Sequence, residues 1–180
     1  MRIVGGKYRG RIIKPPQKFD ARPTTDFAKE SLFNILNNHI DFEGIHALDL
    51  FAGTGSIGFE LVSRGAAWVD AVELNALHHR FIKQTAAQLG MSEYSAIKAD
   101  AFAFAERCQR RYGLIFADPP YNHERLADLP TIIFDRDLLD ADGWFVLEHP
   151  AVHNFGSHPN FFDHRVYGSV NCTFFKKNLQ

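Results

Sequence analysis

One short segment constrains the fold of this chain more than any other. Gly53-Thr54-Gly55-Ser56-Ile57-Gly58 spells GxGxxG directly after the apolar run 45–51 and at the opening of a helical pattern over 56–63. A strand feeding a helix through such a turn begins a βαβ unit. The missing Cβ atoms let the turn close tightly and let a ligand approach the backbone. The same unit then recurs. Strands are expected at 67–73, 95–99, 113–117 and 143–148, alternating with helices at 75–89, 101–111 and roughly 125–139. Repeated strand–helix units imply an α/β fold with a parallel sheet and helices on both faces. The last two strands, 161–167 and 172–176, flank the short turn Gly168-Ser169-Val170-Asn171 and must run antiparallel.

At 180 residues the chain suits one domain, and its 46% hydrophobic and 23% charged residues exclude wholesale disorder. No run reaches the ~18 apolar residues of a membrane span. The start, MRIVGGKYRGR, lacks an apolar signal-peptide core. Cys108 and Cys172 are too few and too far apart for a disulfide scaffold or a CxxC site, so a reducing, cytoplasmic setting is expected. The net charge of −1 hides an asymmetry: Arg2, Lys7, Arg9, Arg11, Lys14 and Lys18 face no acid within residues 1–18, so the remaining 162 residues carry −7. Short strands around 2–4 and 11–14, punctuated by Gly5, Gly6 and Gly10, make this a basic hairpin suited to a polyanion such as RNA or DNA. Pro23, Thr24, Thr25 and Asp26 then start a helix over 27–38.

Three acids stand at successive strand ends. Glu73, 20 residues after Gly53, can accept hydrogen bonds from ribose hydroxyls; Asp100 can accept one from an adenine amine. Both fit an adenosine-containing ligand, and such ligands bind at the carboxyl ends of open α/β sheets. Asp49 narrows the choice. An acid before the glycine turn opposes a pyrophosphate but suits the ammonium and sulfonium of S-adenosylmethionine (SAM). The fourth core strand closes on Asp118-Pro119-Pro120-Tyr121. The prolines remove two N–H donors, leaving the Asp118 carboxylate and the Pro119 carbonyl as acceptors beside an aromatic ring. That corner matches a planar substrate with an exocyclic amine: the acceptors hold the amine hydrogens and Tyr121 stacks on the ring. Guanine, adenine, cytosine and a protein glutamine amide all remain open. A nicotinamide-dependent dehydrogenase would explain the glycine turn and Glu73 but neither Asp49 nor the Asp-Pro-Pro-Tyr turn. A non-catalytic RNA-binding module would explain the basic hairpin alone.

These residues resemble the class I SAM-dependent amino-methyltransferases. More narrowly, the chain is similar along its whole length to the RsmD family of bacterial 16S ribosomal RNA guanine-N2 methyltransferases. Arg2-Ile3-Val4-Gly5-Gly6, Arg9-Gly10-Arg11, Arg22-Pro23-Thr24-Thr25-Asp26, Lys29 to Asn34, Asp49 to Gly55, Asp118 to Tyr121, Glu148-His149 and Arg165 to Gly168 carry the likeness. The resemblance implies a Rossmann-like class I methyltransferase fold: a mixed seven-stranded sheet, helices on both faces, a terminal antiparallel hairpin, and an amino-terminal β-hairpin arm. It divides the chain into an arm, 1–22, and a methyltransferase domain, 23–180. It also implies SAM held by Asp49, Phe51, Ala52, Gly53, Gly55, Glu73, Asp100 and Ala101, with Asp118, Pro119 and Tyr121 catalytic. Pro120, Arg2, Lys7, Arg9, Arg11, Arg22 and Thr24 would meet the substrate, one guanine of 16S RNA within the small subunit or an assembly intermediate. A monomer without a metal is expected. The family pattern is poorer in histidine than His149, His153, His158 and His164, whose irregular spacing suits a surface loop rather than a metal site; His78-His79 suits a helix surface or a partly buried position.

Overall fold

The computed structural model describes residues 1–17, 19 and 25–177. Thr25 opens the first helix: its side chain accepts the Ala28 N–H at 3.1 Å and caps α1 (Asp26–Leu36). Strand–helix alternation follows through β1 (His46–Asp49), α2 (Ser56–Ser63), β2 (Trp68–Val72), α3 (Ala76–Leu89), β3 (Tyr94–Ile97), α4 (Ala101–Arg107), β4 (Tyr112–Ala117), α5 (Leu129–Asp135), β5 (Leu139–His149), β6 (Phe161–Tyr167) and β7 (Val170–Lys176). The seven strands lie in the order β3-β2-β1-β4-β5-β7-β6. β1 to β5 are parallel, and β7 inserts antiparallel between β5 and β6.

Period-two alternation sorts side chains between two cores. Ala47, Leu114, Phe116, Trp144 and Val146 pack with Phe33 of α1, Phe59 of α2 and Ile82 of α3. Leu48, Ile115, Ala117, Phe145 and Leu147 pack on the other face with Phe102 of α4 and Ile133 of α5. Every central strand is covered on both sides, which is why these runs read as continuously apolar.

Several expected boundaries move. α4 stops at Arg107 because Cys108 is already extended. The helix expected over 125–139 is a single 3-10 turn (Leu126–Asp128) followed by α5, which ends at Asp135. Its stop is a Schellman cap: Asp137 takes φ 54°, its N–H bonds Phe134 O (3.1 Å), and the Leu138 N–H reaches Ile133 O (3.1 Å). Asp rather than Gly holds the left-handed position, with its carboxylate paired to Arg111 and Lys177. β5 therefore starts at Leu139 rather than 143, through a bulge opposite Tyr112 and Leu114. The β6–β7 turn is shorter than expected. Val170 and Asn171 pair with Tyr167 and Val166, so only Gly168 (φ 61°) and Ser169 turn the chain. A second bulge interrupts β6 between Phe161 and Asp163, and Arg165 bonds Asp163 at 2.7 Å on this edge strand.

The amino-terminal hairpin has one antiparallel bridge, Arg2 with Ile12, and lies along α2. Lys29 Nζ donates to Arg2 O (2.5 Å) and Ser56 Oγ (3.1 Å), the Val4 N–H to Glu60 Oε2 (2.9 Å), and the Lys7 N–H to Ser63 O (2.6 Å). Ile3 and Ile13 enter the first core. Lys29 and Glu60 are almost wholly buried, with Lys29 Nζ 3.5 Å from Glu60 Oε2 and Arg64 Nε 2.9 Å from Glu60 Oε1. Burial pulls the Lys29 amine below its ordinary range, and Glu60 works against that. Removing one member of a buried charge cluster leaves its partners uncompensated. Lys29→Met is therefore expected to lower the free energy of unfolding by about 3–5 kcal/mol in a urea titration; a loss below about 1 kcal/mol would contradict this account.

Candidate active site

The strand order changes direction between β1 and β4, and a cavity of about 740 Å³ opens at their carboxyl ends. Its wall includes Phe51 and Gly53 after β1, Glu73 after β2, Asp100 and Ala101 after β3, Asp118 to Tyr121 after β4, and Glu148 near the end of β5. The volume is in the range that encloses a cofactor-sized ligand.

The glycine turn is held from both sides by carboxylates. Glu73 Oε2 accepts the Gly53 N–H (2.8 Å) and Oε1 the Asn75 N–H (2.6 Å), so its oxygens are fixed at the cavity wall. Asn75 in turn caps α3 through the Leu77 and His78 N–H groups. Asp49 lies beneath the turn, 1% exposed, with Oδ2 accepting the Gly58 N–H at 3.2 Å. Burial pushes its carboxyl up to about 7; the charge of Glu73 adds to this, while N–H bonds from Gly58 and Phe51 oppose it. Gly55 has φ 80°, and a Cβ there would stand 2.6 Å from Phe59 Cε2. Gly58 leaves room for the Tyr94 ring, which stacks on Phe59 at 4.7 Å. Asp100 both caps α4, accepting the Ala103 N–H at 2.8 Å, and lines the cavity.

Nine expected residues meet at this one wall: Phe51, Gly53, Glu73, Asp100, Ala101, Asp118, Pro119, Pro120 and Tyr121. Asp49, Ala52 and Gly55 do not line it. Asp49 is a support for the turn, because its side chain points into α2 rather than into the opening. The basic residues of the hairpin do not reach the wall either. Arg2 lies beside the first turn of α2, its carbonyl bonded to the Lys29 that also bonds Ser56, whereas the Lys7 N–H bonds Ser63 O at the far end of that helix. Arg22 and Thr24 fall outside the described residues.

The donor set fits SAM. The cavity holds four carboxylates, Glu73, Asp100, Asp118 and Glu148, and no Lys or Arg among the described residues. That field attracts a sulfonium and an ammonium and repels a pyrophosphate.

The model of the family described as conserved hypothetical protein 95 matches residues 1–176. The chain belongs to that family, the RsmD family. The ribosomal RNA small subunit methyltransferase D of Haemophilus influenzae is 36% identical over 152 residues, 82% of this chain and 78% of its own length. The protein of the same description in Escherichia coli is 28% identical over 183 residues, 100% of this chain and 91% of its own length. Among solved structures, a candidate methyltransferase from Escherichia coli superposes with a TM-score of 0.88 at 26% identity, covering 100% of this chain and 99% of the other. A hypothetical protein of Thermus thermophilus gives 0.82 at 29% identity, covering 97% and 98%. The fold is thus the Rossmann-like class I methyltransferase fold.

Within this RsmD-family site, several residues escape sequence reading. His78 lines the cavity, packs on Phe19 (4.4 Å between ring centroids) and stands 3.9 Å from Glu73. His123 also lines it and stacks on Phe102 at 4.5 Å. Histidine 149 corrects an expectation. It is fully buried at the end of β5, bonded to Thr173 Oγ1 (2.8 Å) and Pro150 O (2.9 Å), not part of a surface loop. The likeness of Glu148-His149 to the family pattern was the available signal, since it marks the strand end where side chains meet the cavity.

The elevated pKa of Asp49 has a definite sign. Its folded value lies above the ordinary 3.8, so the stability tied to the protonated form is complete below about 4 and drains as pH rises toward about 7. Asp49→Asn keeps the bond to Gly58 without the charge. The variant should gain on the wild type by up to about 1.4 kcal/mol per pH unit across that window in urea unfolding. A stability difference that is the same at about pH 5 and about pH 8 would show an unperturbed carboxyl.

Proposed function

We propose that this chain methylates the exocyclic N2 amine of a guanine in small-subunit ribosomal RNA, using SAM. One observation carries the reading: the acceptor corner of Asp118 and Pro119, the Tyr121 ring, and the ribose- and adenine-type acceptors Glu73 and Asp100 all line one cavity. A nucleobase amine and an adenosyl group would meet there with no intervening wall. The descriptions of the two curated relatives support the choice of substrate.

Glu73 would hold the SAM ribose, Asp100 and Ala101 the adenine, and the Phe51–Gly53 backbone the remainder. Bound SAM supplies an electrophilic methyl group on a sulfonium. The chain's own residues supply orientation. Asp118 and the Pro119 carbonyl accept the two amine hydrogens and favour a more pyramidal nitrogen as the methyl group arrives, and the proton this nitrogen gives up on methylation leaves toward the Asp118 carboxylate. Tyr121 fixes the base plane, contributing about 1–3 kcal/mol of stacking. Its hydroxyl donates to Glu148 Oε1 at 2.9 Å, so the ring is locked before a base arrives. A base in a helix must first leave its stack, at a cost of a few kcal/mol, so a loop nucleotide is favoured. The hairpin would hold backbone phosphates through its exposed basic side chains Arg2, Lys7, Arg9 and Arg11.

Labelled methyl transfer from SAM to small subunits, naked 16S RNA, transfer RNA and DNA, with the nucleoside identified, tests the reading. N2-methylguanosine in small-subunit RNA is expected; N6-methyladenosine, N4-methylcytidine or labelled protein glutamine would refute it. Asp118→Ala should lower turnover by at least about 1000-fold while calorimetric SAM affinity stays within a few-fold, because this residue holds the acceptor and not the cofactor. Replacing Arg2 and Arg11 together by Gln should flatten the dependence of log affinity on log salt by up to about 1.4 for single-stranded RNA. An unchanged slope would remove these two arginines from the interface.

A further inference from the structure

Glu148 belongs to the same wall, yet methyl transfer as described gives it no task beyond bonding Tyr121. It is 5% exposed, on the penultimate residue of β5, and lines the cavity together with Asp118. Ala117 of β4 pairs in register with Leu147 of β5, so Asp118 and Glu148 follow side by side at neighbouring strand ends and line the same cavity. The Tyr121 hydroxyl donates to Glu148 Oε1, so this carboxylate stands at the hydroxyl end of the ring on which a base would stack.

We infer that Glu148 is the specificity residue that reads the ring N1–H of guanine, while Asp118 and Pro119 hold the neighbouring amine. This rests on the guanine-N2 reading above and deepens it. Guanine presents adjacent donors, the amine and N1–H, along one edge. Adenine and cytosine each place an acceptor nitrogen beside the amine, and a glutamine amide has no ring nitrogen there. A carboxylate accepts only. Two acceptor groups side by side thus match guanine, and they set lone pair against lone pair for the other bases. A site built to receive a particular N–H rejects the analogue that lacks it far more strongly than a shape-only pocket does. Tyr121 completes the device, because its hydroxyl anchors the Glu148 carboxylate at the cavity wall.

The test compares guanine with 2-aminopurine, which keeps the amine but carries an acceptor at N1. Small subunits are assembled in vitro from unmodified 16S RNA, with the mapped target guanine either retained or replaced by 2-aminopurine through splinted ligation. Methyl transfer is measured for the wild type and for Glu148→Gln, and calorimetric SAM binding reports folding. Wild type should prefer guanine by at least about 100-fold in kcat/KM. In E148Q the Tyr121 hydroxyl keeps the amide oxygen and turns the amide NH2 toward N1, so guanine meets a donor and 2-aminopurine a partner. The preference should fall by at least about tenfold. A merely structural Glu148 would slow both substrates alike, and an unchanged ratio in E148Q overturns the inference. Equal wild-type rates on the two substrates overturn it without any variant, even where E148Q does not fold. If wild type methylates no guanine at N2, the functional reading itself fails and this inference falls with it. If N2 is methylated with no change of ratio in E148Q, this inference alone fails.

Discussion

The geometry of the sheet between β1 and β4 governs everything built on it. From β1 the chain winds outward through β2 to β3, then returns to β4 on the other side and winds toward β5. The helices that follow these neighbouring strands pack on opposite faces, α2 against one core and α5 against the other. Backbone therefore diverges at the strand ends, and the gap cannot be filled by local chain. One side of the gap is furnished by the loops after β1, β2 and β3, which bring fixed carboxylates. The other comes from the ends of β4 and β5, which bring an acceptor corner and a tyrosine.

Much of this was legible from residue patterns. The glycine turn and the alternation of apolar strands with amphipathic helices are local, and they located β1 to β4, α2 and α3 to within a few residues. The failures are non-local. Asp137 ends α5 in a left-handed conformation usually signalled by glycine, and it tolerates this in a setting of ion pairs with Arg111 and Lys177 from distant segments. The early start of β5 depends on a bulge against β4, which no single-strand pattern encodes. Asp49 was recognisable as a component of the site. Its burial, and hence its part in bracing the turn rather than lining the opening, depends on how α2 packs. Glu148 and His78 take their meaning from Tyr121 and Glu73, partners 27 and 5 residues away.

The hairpin and the glycine turn are mechanically one unit. Lys29 bonds Arg2 O on the hairpin and Ser56 Oγ on the first residue of α2, the residue that follows the turn. Glu60 adds Val4 and Arg64 to the same buried patch. Peeling the hairpin away would strip partners from charges that water cannot reach, which is costly in a low-dielectric setting. The backbone that carries the basic side chains of this segment is thus held on a rigid mount.

The outermost strand has a consequence for how molecules of this chain meet one another. β6 ends the sheet, and an unfinished sheet margin invites a foreign strand to continue it. The irregularity at Phe161 and Asp163 twists that margin, and the Asp163–Arg165 pair crowds it with charge. Strand-by-strand growth from copy to copy is thereby discouraged, and a concentrated solution of folded chains is shielded from fibre formation along that side.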